Sequence, residues 1–155
     1  MIMLNLKACH LFTISMHLPP TLELGGTPAG KRRVFTVSGG HFAGERVRGE
    51  VLAEAGSDLL LIRADDSYQI DARLMLRTED GALILMTYRG IRHASPEIGA
   101  RIARNEPVTA SDYYLRTAPF FETSSSKYAW LNKIVSVGIG ERQPQGVKYE
   151  IFEVL

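Results

Sequence analysis

Tyr68-Gln69-Ile70-Asp71-Ala72-Arg73-Leu74-Met75-Leu76-Arg77, then Thr78-Glu79-Asp80-Gly81, then Ala82-Leu83-Ile84-Leu85-Met86-Thr87-Tyr88, is the stretch that decides the fold. Tyr68, Ile70, Ala72, Leu74 and Leu76 alternate with Gln69, Asp71, Arg73, Met75 and Arg77, the period of two that sends successive side chains to opposite faces of a strand. Asp80-Gly81 supplies the positive φ that a tight turn needs, so the segment predicts an antiparallel hairpin. A lone hairpin is barely stable in water, and its apolar face must be covered by more strands or a helix.

Both directions along the chain supply strands. Upstream, every even position from Leu4 to Leu18 except His10 is apolar, which predicts a long strand ended by Pro19-Pro20. Leu22 to Gly30, with Gly25, Gly26, Pro28 and Gly30, reads as a loop, and Arg33 to Val37 as the next strand. Ser38-Gly39-Gly40 and Gly44 read as a turn, Glu45 to Ala53 alternates again, and the apolar run Leu59 to Ile62 is short enough for a buried strand. Downstream, Ser95-Pro96-Glu97 gives an N-cap hydroxyl, a proline at the first helical position and an acid at the positive end of the dipole. The helix stops at Asn105 and Pro107. Tyr113 to Thr123, Trp130 to Gly140 and Val147 to Leu155 return to strand-like residues. The expectation is a mainly β chain, about nine antiparallel strands closed into a single barrel with one short helix.

Composition narrows the function classes. The chain has 155 residues, 18 Lys plus Arg against 17 Asp plus Glu, and a net charge of +1. That length suits one domain spanning 1–155, with a core that needs no staples. Near-neutral charge offers no long-range attraction for nucleic acid. With one cysteine, Cys9, no internal disulfide forms, which predicts a cytoplasmic setting. No apolar run is long enough for a membrane helix or a signal peptide.

Most sequence motifs fail on context. Gly25 to Lys31 spells the start of a phosphate loop, but Arg32 replaces the magnesium-binding hydroxyl and Arg33-Val34-Phe35 continues as strand where a helix is required. Gly138-Ile139-Gly140 lacks the strand-to-helix turn of a dinucleotide site. His10, His17, His41 and His93 have no metal-ligand spacing, and no nucleophile elbow exists. No metal or cofactor is expected.

What remains is a set of charged and aromatic residues within strands. Asp71 and Arg73 share a face, with Tyr88 on the hairpinned strand; Arg46 and Arg48 repeat the spacing, as do Tyr114 and Arg116, while Glu122 and Trp130 flank a later loop. Facing inward, they would form an anion-binding or acid–base pocket; facing outward, an ordinary solvated surface. Alternation does not say which face is the lumen.

Four ordered motifs resemble the bacterial domain-of-unknown-function 3237 family. They are Gly39-Gly40-His41-Phe42-Ala43-Gly44 with Arg46 to Leu52; Asp71-Ala72-Arg73 with Thr78 to Ile84; Tyr113 to Thr123; and Tyr128-Ala129-Trp130-Leu131-Asn132. The resemblance implies a β-barrel and no established reaction. Within the matching motifs it singles out Arg48, Asp71, Arg73, Arg116, Glu122 and Trp130. Three functions stay open. The first is a cofactor-free isomerase, cyclase or lyase for an aromatic or carboxylated metabolite: Asp71, Arg73 and Glu122 catalytic, Arg48, Tyr88, Arg116 and Trp130 binding the ligand. The second is a non-catalytic ligand-binding barrel. The third is a structural homo-oligomer protomer.

Overall fold

The computed structural model describes residues 5–155, so Leu4 of the expected first strand lies outside the described residues. The elements in chain order are β1 Ala8–His17, β2 Leu22–Thr27, β3 Gly30–Thr36, β4 Gly40–Ala43, β5 Arg48–Val51, β6 Ser57–Ile62, β7 Tyr68–Thr78 and β8 Leu83–Ala94. Then come α1 Pro96–Ala103, β9 Tyr113–Glu122, a short 3-10 helix Ala129–Lys133, β10 Ser136–Gln143 and β11 Gly146–Val154. The strands form one 11-stranded sheet ordered β2-β3-β6-β7-β5-β4-β1-β11-β10-β9-β8. Because β8 also pairs with β7, the eight strands from β7 around to β8 close into an antiparallel barrel.

The central hairpin forms as its sequence dictates. Register runs from Tyr68 opposite Arg92 to Arg77 opposite Leu83, and Gly81 at the turn has φ +87. Ile70, Ala72, Leu74 and Leu76 of β7 are buried together with Ile84, Met86 and Tyr88 of β8. Even-numbered positions of both strands therefore face the lumen.

Three readings need correction. Leu22 to Gly30 is not a loop: β2 and β3 form a hairpin, with a register shift between Glu23 and Gly25 that absorbs Gly25 at φ +80. Glycine-rich strands of this kind are sustained by a bulge and by pairing, here of β3 with β6. Gly40–Ala43 is strand rather than turn; Gly40 packs so near Ser15 O of β1 that any Cβ would collide with it. Trp130 to Lys133 coils into the 3-10 helix, and the strand begins only at Ser136.

The helix reading holds, since Ser95 Oγ accepts the Ile98 N–H at 3.2 Å and Asn105 turns left-handed at φ 56. Ile98 and Ile102 lean on the barrel core. No helix of the described residues is long and apolar enough to cross a membrane.

The barrel has two unlike ends. The end carrying the β7–β8 turn, here the hairpin end, is filled by Phe12, Phe42, Phe121, Leu76 and Leu131. The Phe12 ring lies 5.4 Å from that of Phe42 and 5.7 Å from that of Phe121. At the other, the helix end, β5 no longer reaches β7. Its pairs stop at Val51 opposite Leu76, and β6 takes over the edge of β7 from Arg73 to Tyr68. The sheet forks there, which brings β6 to the barrel.

Candidate functional site

The parity of β7 decides where Asp71 and Arg73 go. Odd positions lie on the outer face, and the Arg73 side chain is 63% exposed, with Nη1 3.6 Å from Asp71 Oδ1. This corrects the inward orientation entertained for them: once Leu74 and Leu76 fill the lumen, a period of two leaves positions 71 and 73 outside. On β9, Tyr113, Leu115, Thr117 and Phe121 are buried, so Arg116 and Glu122 also face out. Arg116 lies 5.0 Å from the Tyr114 ring, and Glu122 borders an outer groove of about 300 Å³ with Met75, Leu83 and Leu85.

Arg48 and Trp130 sit at the hairpin end. Arg48 is exposed beside a groove of about 230 Å³ lined also by Arg46, Asp80 and Lys127. The Trp130 ring carries the Arg46 guanidinium 3.6 Å above it, and Arg46 Nη1 donates to Glu153 at 2.9 Å. Of the seven expected site residues only Tyr88 looks into the barrel, so the structure does not bring them together.

Tyr88 has other company. Asp58 stands opposite Ala72, and Ala72 opposite Tyr88, so the three share the inner face in one row across β6, β7 and β8. The β6–β7 ladder is interrupted between the Asp58–Ala72 and Leu61–Gln69 pairs, and Asp58 Oδ1 accepts the Asp71 N–H there at 3.1 Å. A carboxyl thus replaces a strand carbonyl as hydrogen-bond acceptor, at the fork in the sheet. Burial pushes the Asp58 carboxyl up to about 6, against the opposing Asp71 N–H bond, while the Asp71 charge pushes the same way.

Tyr149 enters from β11, opposite Gly140 and Ile14. Its ring centroid is 5.6 Å from that of Tyr88, at 60°. Gly140 is glycine for a packing reason: a Cβ there would stand 2.4 Å from Leu115 and 2.6 Å from the Tyr149 ring. Burial raises both phenols above their ordinary value, and the nearby Asp58 charge adds to the effect on each. No sealed side-chain nitrogen or oxygen lacks a partner among the described residues. Neither the Tyr88 nor the Tyr149 hydroxyl is paired among them, so both must touch accessible space.

Arg92 adds a cation further along the same inner face. It lies between Tyr68 on β7 and Leu115 on β9, on the inner face, with its guanidinium 4.0 Å from the Tyr68 ring. Burial is the main cause that lowers its pKa; Tyr68 opposes this and nearby Arg142 adds to it. Arg142 is anchored by its backbone N–H, which donates to Tyr113 Oη at 2.7 Å.

This arrangement offers a carboxyl that changes state near pH 6, two phenols that stay protonated as donors, and a guanidinium. Such parts move protons and steady a developing oxyanion. Among the described residues no three His, Cys, Asp or Glu converge as metal ligands. Sequence reasoning missed Asp58, Arg92 and Tyr149. Arg92 is four residues from Tyr88 and hence on its face, and Tyr149 alternates with Val147 and Ile151; only Asp58, at the start of an apolar run, gave no sign of its surroundings.

Comparison with known proteins fits this architecture. The family described as "Protein of unknown function (DUF3237)" matches residues 6–154. The chain belongs to the DUF3237 family. A UPF0311 protein of Rhodopseudomonas palustris is 32% identical over 151 residues, covering 97% of this chain and 98% of the relative. A crystal structure from that species, of a conserved protein of unknown function, is 31% identical with a TM-score of 0.91, covering 99% of this chain and 100% of that one. A beta-barrel like protein of Acinetobacter baumannii is 34% identical, TM-score 0.85, with 99% of each chain covered. The hydroalkoxylation enzyme phnH of Penicillium herquei is 29% identical over 128 residues, which cover 83% of this DUF3237 chain and 70% of the enzyme.

Proposed function

We propose that this DUF3237 protein is an enzyme that moves a proton on a small unsaturated ligand held at the helix end of the barrel, closing or isomerising it without a redox step. The observation that carries the reading is the Asp58 carboxyl, raised to about 6 by burial and set on the same inner face as Tyr88, with Tyr149 against it. A general acid–base group works best when its pKa lies near the working pH, because both of its forms are then available. An acid of that strength protonates activated carbon, such as an enol or the enolate carbon formed as a nucleophile adds to an enone, rather than an isolated alkene.

In this reading the Asp58 carboxyl delivers its proton to the ligand carbon as an internal hydroxyl oxygen attacks the neighbouring position. One C–H and one C–O bond form, the π bond and an O–H bond are lost, and the hydroxyl proton returns to the Asp58 carboxylate. The products are isomers of the reactants, so no co-reactant is consumed. Tyr88 and Tyr149 donate hydrogen bonds to the oxygen that gains charge. The kinship with a hydroalkoxylation enzyme supports this class of chemistry.

The test uses an ortho-alkenyl phenol bearing a conjugated carbonyl, incubated in deuterium oxide and followed by mass spectrometry. A ring-closed product with one carbon-bound deuteron, formed by the wild type and not by Asp58→Asn, is expected. Equal rates in the two proteins would overturn the assignment of Asp58.

A further inference from the structure

Charges that leave water need partners, and nearly buried arginines are normally matched by a carboxylate. At the hairpin end even an arginine in solvent has one: Arg46, 51% exposed, is paired with Glu153 at 2.9 Å. At the helix end the match is missing. Arg92 and Arg142 are both half-buried, and among the described residues neither reaches an Asp or Glu within ion-pair distance.

Their placement is not that of surface arginines. Arg92 shares the inner face with Tyr68 and Leu115. Arg142 continues the inner parity of Gly138 and Gly140 and stands opposite buried Val147. The two guanidiniums are near enough to oppose each other's charge, and Asp58, although on the same inner face, is not a counter-ion to either. Around them the wall is aromatic: the Arg92 guanidinium rests on Tyr68, and the Arg142 backbone is tied to Tyr113. One guanidinium lying on an aromatic face and a second near it, neither held by a carboxylate, match a flat molecule with an oxyanion at its edge.

We infer that Arg92 and Arg142 are the anion-binding half of this lumen, so that its ligand is an aromatic or conjugated carboxylate whose reacting end points toward Asp58. The inference rests on the reading that the helix end is the ligand site, and it deepens that reading by naming the ligand class. The anion-binding role open to the strand arginines from their spacing moves with it to this pair, because Arg73 and Arg116 are outside the barrel.

The experiment is isothermal titration calorimetry with 4-hydroxybenzoate and its uncharged isostere 4-hydroxybenzamide, on the wild type, Arg92→Gln, Arg142→Gln and Asp58→Asn. The acid should bind the wild type and the amide should not. Affinity for the acid should fall by about tenfold or more in Arg92→Gln, the loss of roughly one charge-assisted pair, and less in Arg142→Gln. Asp58→Asn should bind the acid as well as the wild type does. Equal binding of acid and amide, no binding of either at millimolar concentration, or unchanged affinity in both arginine variants would overturn the inference. Should Arg92→Gln not fold, the acid–amide pair and Arg142→Gln decide it. If binding depends on the arginines while Asp58→Asn leaves turnover intact, the anion site stands and the acid–base assignment falls.

Discussion

Each end of this barrel holds an aspartate close to a tyrosine, and the two pairs behave in opposite ways. At the hairpin end the Asp80 carboxylate is gripped by Lys127 Nζ at 2.6 Å, Thr78 Oγ1 at 2.6 Å and Tyr128 Oη at 2.9 Å. Those bonds, Lys127 first, hold its carboxyl well below the usual range. At the helix end Asp58 accepts one backbone N–H, and burial moves it the other way, to about 6. Asp80 is a fastener: Thr78 holds it within the hairpin, while Lys127 and Tyr128 join the β7–β8 turn to the segment before the 3-10 helix. Asp58 keeps capacity in reserve on the inner face it shares with Tyr88. The lesson is that residue type does not mark a candidate site; unspent hydrogen bonding in a partly desolvated place does.

Substitutions at the two ends should therefore separate activity from stability. The largest expected effect is Asp58→Asn, which should lower kcat by about 10²- to 10⁴-fold, the usual worth of a positioned acid–base group, in a protein that still melts cooperatively. Steady-state assays with circular dichroism on the same sample check both halves. Next, Phe12→Ala at the hairpin end should cost about 3–5 kcal/mol in urea unfolding, since a fully buried ring between two others leaves a cavity. Any activity that survives in folded protein should keep its pH profile.

A third prediction concerns pH. Because the Asp58 carboxyl is raised from 3.8 to about 6 on folding, the folded state holds this proton more tightly than the unfolded chain. Its contribution is favourable below about pH 4, is lost as pH rises through 6, and amounts to on the order of 2–3 kcal/mol. Asp58→Asn should remove that slope, so the variant gains stability over the wild type between pH 4 and pH 7 by about that amount. Parallel stability curves for the two proteins would contradict the burial assigned to Asp58. The smallest effects belong to the outer face. Asp71→Ala and Arg73→Ala should each change stability by under about 1 kcal/mol, because their 3.6 Å contact is solvated. Turnover should stay at the wild-type level in Arg73→Ala.

The barrel was legible because a period of two survives where one face is buried, as in the β7–β8 hairpin and in β1 from Phe12 to Met16, beyond the register shift at Leu11. It failed where glycines do a strand's work through close packing, at Gly40, and where a bulge rescues pairing, at Gly25. The site was legible only at Tyr88. Parity groups Asp71 with Arg73, but which parity is inward depends on how the sheet closes, which is a long-range outcome. Leu74 and Leu76 hold that answer, being the bulkier set with nowhere else to go. Asp58 was hidden for another reason: its placement comes from the fork where β6 displaces β5 on β7, a feature of strand order and not of local pattern.

The account turns on the charge state of one carboxyl. Carbon-13 NMR titration of aspartate side-chain carboxyls, with the Asp58 signal identified by its loss in Asp58→Asn, measures it directly. A midpoint at about pH 6 is the predicted result. A midpoint near the ordinary value of 3.8 would show a solvated carboxylate and contradict the assignment of acid–base chemistry to the helix end of the barrel.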